Sequence, residues 1–196
     1  MDNQELKSFL SDHRDDLIKR NYDNIYESMY RRDRKDLTAF LVNKAGRNPL
    51  EYMSKIYEGM FSGISFKNFK IPSNISSTNT SVENLSCEAL EIEPPLNGIL
   101  GLKFENCSIK KVIIDEGVSR LKSGSFDSDN SIEMIKLPSS LKKIDPNAIS
   151  CDSIVATNKR DANSRLVISK SDVDFYKSHL KYFRAKQVEE PTEEEE

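Results

Sequence analysis

Glycine is scarce in this 196-residue chain. Its seven glycines are scattered singly, so no phosphate-cradling glycine loop can form, and neither a Gly-x-Ser-x-Gly elbow nor a Cys-His nucleophile signature occurs. Histidine is rarer still. His13 and His179 lie in opposite terminal regions, neither with a second His or a Cys at ligand spacing, so neither a metal site nor a cofactor is expected. The cysteines Cys87, Cys107 and Cys151 are odd in number and widely spaced, which argues against a disulfide framework and predicts buried, reduced thiols. No apolar run is long enough for a membrane-spanning helix. The start, Met1-Asp2-Asn3-Gln4-Glu5-Leu6, has no basic n-region and no apolar h-region, so a cytoplasmic protein is expected. The carboxylate pairs Asp15-Asp16 and Asp127/Asp129 have polar neighbours and are expected in solvent rather than in a desolvated cleft. Together these absences predict a protein that is not an enzyme.

What the chain does have is a repeat. Leu90-Ile92-Leu96-Ile99-Phe104, Val112-Ile114-Val118-Leu121-Phe126 and Ile135-Leu137-Leu141-Ile144-Ile149 superimpose at offsets of 22 and 23 residues. A unit that short cannot close a core alone and must stack on a copy of itself, which predicts a solenoid. Within a unit the first strand alternates, Val112 and Ile114 in, Lys111 and Ile113 out. A degraded earlier copy begins at Phe69-Lys70-Ile71-Pro72, and its Ser/Thr/Asn-rich continuation to Ser86 predicts turns rather than a ladder.

Ile71-Pro72-x-x-Ile75 and Leu137-Pro138-x-x-Leu141-x-x-Ile144, with Phe126 at an aromatic place and Cys107 and Cys151 at a Cys/Asn place, resemble the BspA-type leucine-rich repeat across roughly residues 56–185. Two coils depart from its pattern, since Ile92-Glu93 and Ile114-Asp115 lack the Pro and Ser125 replaces an Ala. The resemblance implies an interaction module. Short unsecreted versions look like those of bacteriophages and mobile elements, which implies a binder that inhibits or modulates a host macromolecular machine. Leu166-Val167-Ile168 and the segment from Ser171 look like the closing strand and capping helix of such a repeat; Val173, Tyr176, Leu180 and Phe183 would share one helical face.

The predicted architecture is therefore α+β: a helical region over 1–63 capping a leucine-rich-repeat β-solenoid of about four to five coils over 64–170, a C-terminal capping helix over 171–186, and an acidic tail over 187–196. The formal charge is −3, but Glu189, Glu190 and Glu193 to Glu196 supply six negatives; without them 29 bases face 26 acids, a balance of +3. Such a tail reads as a disordered solubility segment or as a lure for a basic surface.

In the helical part, apolar residues recur at helical spacing from Leu6 to Tyr30, and one long helix or two with a break near Asn21 to Asn24 both satisfy the pattern. A second helix spans Asp36 to Lys44 and stops at Gly46; Pro49 opens another bearing Leu50, Met53 and Ile56. The stretch Arg31-Arg32-Asp33-Arg34-Lys35 follows Tyr22, Tyr26 and Tyr30. Arg31, Arg32, Arg34 and Lys35 could contact nucleic acid with a tyrosine stacking. The favoured reading is plainer: the tyrosines pack on the solenoid and the charges solvate a helix end.

The partner-binding candidates lie on the outward sheet face, in one column Lys70, Glu91, Ile113, Lys136 and a neighbouring column Asn68, Ala89, Lys111, Met134, with Asp115 at the rim. Ile113 and Met134 form an apolar centre, which supplies desolvation energy, and the charged rim supplies register. An intracellular protein or ribonucleoprotein complex is the expected partner, with no membrane. Nucleic-acid binding or mimicry is the second expectation, and a surface adhesin, which needs an export route, the third.

Overall fold

A computed structural model describes residues 1–76, 80–127, 129–145 and 147–149, and the backbone of 156–160 and 166–169. The predicted C-terminal helix, the acidic tail, Cys151 and His179 lie outside the described residues.

The helical region is broken more often than the apolar spacing predicts. Helices α1 (Asn3–Asp12), α2 (Arg14–Lys19) and α3 (Tyr22–Ser28) take the place of one or two. Arg20 adopts the left-handed conformation (φ 57°) and closes α2, with the Asn21 N–H donating back to the Asp16 carbonyl at 2.8 Å. Helix α4 (Arg34–Ala39) runs into a π turn over Phe40–Lys44. It stops as predicted at Gly46 (φ +61°), where the Arg47 N–H donates to the Leu41 carbonyl at 2.8 Å. Past Pro49 the expected helix is only a 3-10 turn, Pro49–Tyr52. Its extension is blocked chemically: the Ser54 N–H, which a longer helix would aim at Leu50, instead donates to the Asp23 carboxylate (2.9 Å). The Asn74 amide meanwhile donates to the Leu50 and Met53 carbonyls (2.8 and 2.6 Å).

Beyond this region the chain winds as a solenoid with three strand layers. The long layer contains β1 (Ser65–Ile71), β3 (Ser86–Ile92), β6 (Ser108–Ile114) and β8 (Ser131–Leu137), all parallel. The second pairs β2 (Ser81–Glu83) with β5 (Lys103–Glu105), and the third stacks β4 (Ile99–Leu100), β7 (Arg120–Leu121) and β9 (Lys143–Ile144). The third layer thus counts about three full coils, not four to five. The degraded first copy adds β1 without a strand in that layer. At the other end β11 (Leu166–Ser169) joins β8 antiparallel and β10 (Ala156–Arg160) joins β11. An antiparallel strand closes a parallel stack rather than adding a turn to it.

Each long strand carries the same bend. Two consecutive residues point outward (Lys67-Asn68, Glu88-Ala89, Lys110-Lys111, Glu133-Met134), and the ladder skips the first of each pair. The skipped positions form a column of alternating charge, Lys67, Glu88, Lys110, Glu133, in which Lys110 and Glu88 approach to 3.6 Å. Before β3 and β6 the chain turns sharply at Asn84 (φ 56°) and Asn106 (φ 51°), residues that tolerate the left-handed region. The Asn106 amide donates to the Asn84 side chain at 2.7 Å, and its backbone N–H to Asp129 at 2.9 Å.

The core is continuous from cap to coils. Tyr22, Ile25, Tyr26, Leu37 and Leu50 belong to one buried cluster with Phe66, Phe69 and the apolar columns of the solenoid. Phe61 sits edge-on to Phe69 with centroids 5.3 Å apart, joining the two parts. The helices therefore cover the first coil, as expected, and remove an open end that would invite edge pairing. Inside the coils Phe104 and Phe126 stack at 4.9 Å and 11°, with Ile149 next in the column.

The aligned apolar template fails at two places. Leu96 is fully exposed (101%), and the buried member at the Leu121 position is Leu100, not Ile99. Pro94-Pro95 lengthens this coil by one residue, and the turn closed by the Gly98 N–H on the Pro95 carbonyl (2.8 Å) throws Leu96 into solvent. One residue fewer between Leu100 and Phe104 restores the spacing.

Candidate interaction face

The long layer brings the predicted face residues together in the predicted order. Lys70 pairs with Glu91, Glu91 with Ile113 and Ile113 with Lys136; Asn68, Ala89, Lys111 and Met134 form the adjacent column. Ile113 and Met134 are half-buried, flanked by the charged members of their columns. The Lys70 ammonium lies 2.9 Å from Glu91 and 2.7 Å from Glu93. These bonds push the Lys70 amine above its ordinary range and hold Glu93 below the usual carboxylate range, Glu93 also accepting the Ser73 N–H at 2.9 Å. Asp115 follows β6 at the rim, half-buried, with its N–H donated to the Ile92 carbonyl at 3.0 Å.

One wall of the site has no signal in the repeat. The segment after the π turn overhangs the sheet and makes a groove of about 420 Å³, with Ala89, Ile113, Lys70 and Glu91 below and Arg47 and Glu51 beside. It is fixed by the Asn48 side chain, which accepts the Leu50 N–H (3.1 Å) and donates to the Lys70 carbonyl (2.7 Å). Reasoning from the sequence missed Arg47 and Glu51. The only local sign was Asn48 preceding Pro49, which marks a cap but not the strand it reaches.

The basic stretch divides. Arg34 is structural: its guanidinium donates to the Tyr26 and Glu58 carbonyls (3.0 and 3.1 Å) and lies over the Tyr57 ring. Arg31 is paired with Glu58 at 2.6 Å and Glu83 at 3.6 Å. Arg32 and Lys35 are exposed, and Arg32 lies over the Tyr30 ring at 5.7 Å. Of the three tyrosines, Tyr22 and Tyr26 are in the core while Tyr30 is 76% exposed. Helix α3 ends at Ser28 and Met29 is extended, so Tyr30 leaves the face that the i, i+4, i+8 spacing predicts. Burial holds the Tyr26 hydroxyl well above its ordinary pKa while it bonds Thr38 at 2.7 Å.

His13 stacks on Phe9 at 4.1 Å, with its Nδ1 3.0 Å from the Phe9 carbonyl. Asp16 accepts the amides of Asn21 and Asn24, and Asp129 serves the Asn106 turn. Cys87 and Cys107 are buried, and burial pushes their thiols up to about 12 and about 11. Among the described residues no group of three His, Cys, Asp or Glu side chains could hold a metal, and no helix is long and apolar enough to cross a membrane.

The described residues form a short parallel solenoid with a helical cap and an open, mixed-polarity sheet face, the class of repeat fold that exposes extended surface. The match to the BspA type leucine rich repeat region, six copies over residues 54–167, makes the particular assignment: the chain belongs to this repeat family. Repeats of this family generally serve as non-enzymatic scaffolds that bind other proteins. No curated protein and no solved structure matches the chain.

Proposed function

We propose that the chain binds an intracellular protein or nucleoprotein through the outward face of its long sheet and acts there as an inhibitor or modulator of a host macromolecular machine. The observation that carries this reading is the register. Stacking places half-buried Ile113 and Met134 beside Glu91, Lys111 and Lys136, and the overhanging cap adds Arg47 and Glu51 to the rim. An apolar centre ringed by charge supports protein recognition, because the centre gains from desolvation while the rim orients the partner. The inhibitory role and a phage origin rest on the resemblance of such short repeats to those of bacteriophages and mobile elements.

The test is capture of the tagged chain with its partner from native extract, with and without nuclease, comparing wild type with Ile113→Asp/Met134→Asp. A stoichiometric protein partner that resists nuclease and falls at least tenfold in the double variant is expected, as for loss of a central apolar contact. A partner retained at full yield by the variant would move the site off this face. A second reading, nucleic-acid contact at the cap, is supported by exposed Tyr30 beside Arg32 and Lys35 in a groove of about 680 Å³. It predicts capture that disappears with nuclease alone.

A further inference from the structure

The groove between the cap and the long sheet is more selective than an apolar patch. One small residue makes the depression: in the column Asn68, Ala89, Lys111, Met134, Ala89 sits in register between Asn68 and Lys111, both longer side chains. Val42, Phe69 and Ile113 complete the apolar lining. The volume of about 420 Å³ is at the lower end of ligand sites, roughly 300–1,000 Å³. It leaves room for one large side chain entering from solvent.

The charges around the groove fall into two sets. On the floor the Lys70 ammonium is shared by Glu91 and Glu93 at 2.9 and 2.7 Å, so these three are engaged within the chain. On the wall Arg47 and Glu51 are exposed, and among the described residues neither side chain makes an ion pair or a hydrogen bond. Their support is fixed, because the Asn48 side chain between them holds both the Leu50 N–H and the Lys70 carbonyl (3.1 and 2.7 Å). Glu51, Glu91 and Glu93 together offset Arg47 and Lys70, so a polyanion gains little here.

We propose that the groove takes one apolar side chain, of the size of Leu, Ile, Met or Phe, from a protein segment that also carries a carboxylate for Arg47 and a cationic side chain for Glu51. The inference rests on the sheet-face reading above and names the element of the partner that this face recognises. The apolar anchor supplies desolvation at the centre of the contact. Arg47 can accept a carboxylate through two parallel hydrogen bonds, which fixes the orientation of the segment. Opposite signs on either side of Asn48 disfavour a segment docked in reverse, since both of its charges would then meet their like.

The test is selection of a displayed library of random 12-residue peptides on the immobilised full chain, followed by fluorescence anisotropy of a labelled selected peptide. The variants are Ala89→Met, Arg47→Glu, Glu51→Lys and Ile113→Asp/Met134→Asp, each checked for folding by circular dichroism. Met is the residue that the same column carries at 134, so Ala89→Met fills the groove with a side chain the sheet already accepts. Selected peptides should share an apolar residue with an acidic and a basic residue within four positions of it. Affinity should fall at least fivefold in Ala89→Met and at least tenfold in Arg47→Glu and in Ile113→Asp/Met134→Asp. Exchanging the peptide's acid for Lys should restore binding to Arg47→Glu but not to Glu51→Lys. Selection of no shared pattern would overturn the proposal, as would displacement of the peptide by millimolar free leucine. Loss in Ile113→Asp/Met134→Asp with wild-type binding by Ala89→Met and Arg47→Glu would overturn the groove and leave the sheet face standing. Binding unchanged in every variant would overturn both.

Discussion

Phe126→Ala should destabilise the chain by about 3–5 kcal/mol, the range for removing a large buried aromatic. Phe126 is fully buried in the middle of a column, stacked on Phe104 at 4.9 Å and bridged to Ile149. Each neighbouring coil loses a contact surface, and in a solenoid stability is a sum over such neighbours. Against a typical total of about 5–15 kcal/mol, the loss is a large fraction of the whole. Urea unfolding followed by circular dichroism should show a much lower midpoint, while Phe126→Leu, which keeps most of the volume, should cost less than half as much. A change under about 1 kcal/mol for Phe126→Ala would mean that the aromatic column does not hold the coils together.

The second large effect is polar. The buried Asn130 side chain accepts the Cys107 N–H at 2.9 Å and donates to the Phe104 and Asp127 carbonyls at 2.6 and 3.0 Å. Asn130→Ala leaves a buried donor and a buried acceptor without their partners, at roughly 1–3 kcal/mol for an unsatisfied group, so a total near 2–4 kcal/mol is expected. One coil earlier Cys107 has the equivalent place and its thiol donates to the Val82 carbonyl at 3.2 Å. Asn130→Cys should therefore recover the bond to Phe104 but not the one from Cys107, and lose about half as much. Equal losses for Ala and Cys would show that the Cys/Asn place is filled for volume alone.

The repeat was legible because each coil buries its apolar residues at the same places, and the offsets that align Val112 with Leu90 also set the strand register. That is why the outward columns of Lys70 and Asn68 follow from the sequence alone. The slip at Leu96 was illegible for a related reason: one residue gained at Pro94-Pro95 and one lost after Leu100 leave the total spacing intact. The coil count was overestimated because apolar spacing does not distinguish a strand that opens or closes a stack from one that belongs to a full turn. Breaks in the helices were hidden as well, since Arg20 in the left-handed region is a tertiary outcome that helix propensity does not encode. In the basic stretch, adjacency in sequence concealed separate fates, with Arg34 drawn over the Tyr57 ring and Arg31 held by Glu58 while Arg32 and Lys35 remain outside. The groove wall of Arg47 and Glu51 depends on Asn48 reaching Lys70 across 22 residues, a contact with no local pattern.

The most direct test of the sheet face as the binding surface is site-specific photocrosslinking in native extract, with a benzophenone amino acid at position 113, 134 or, as control, 19 in exposed α2. Positions 113 and 134 should each yield the same discrete, nuclease-resistant protein adduct, and position 19 none. An adduct from position 19 with none from 113 and 134 would contradict the assignment and move recognition to the helical cap.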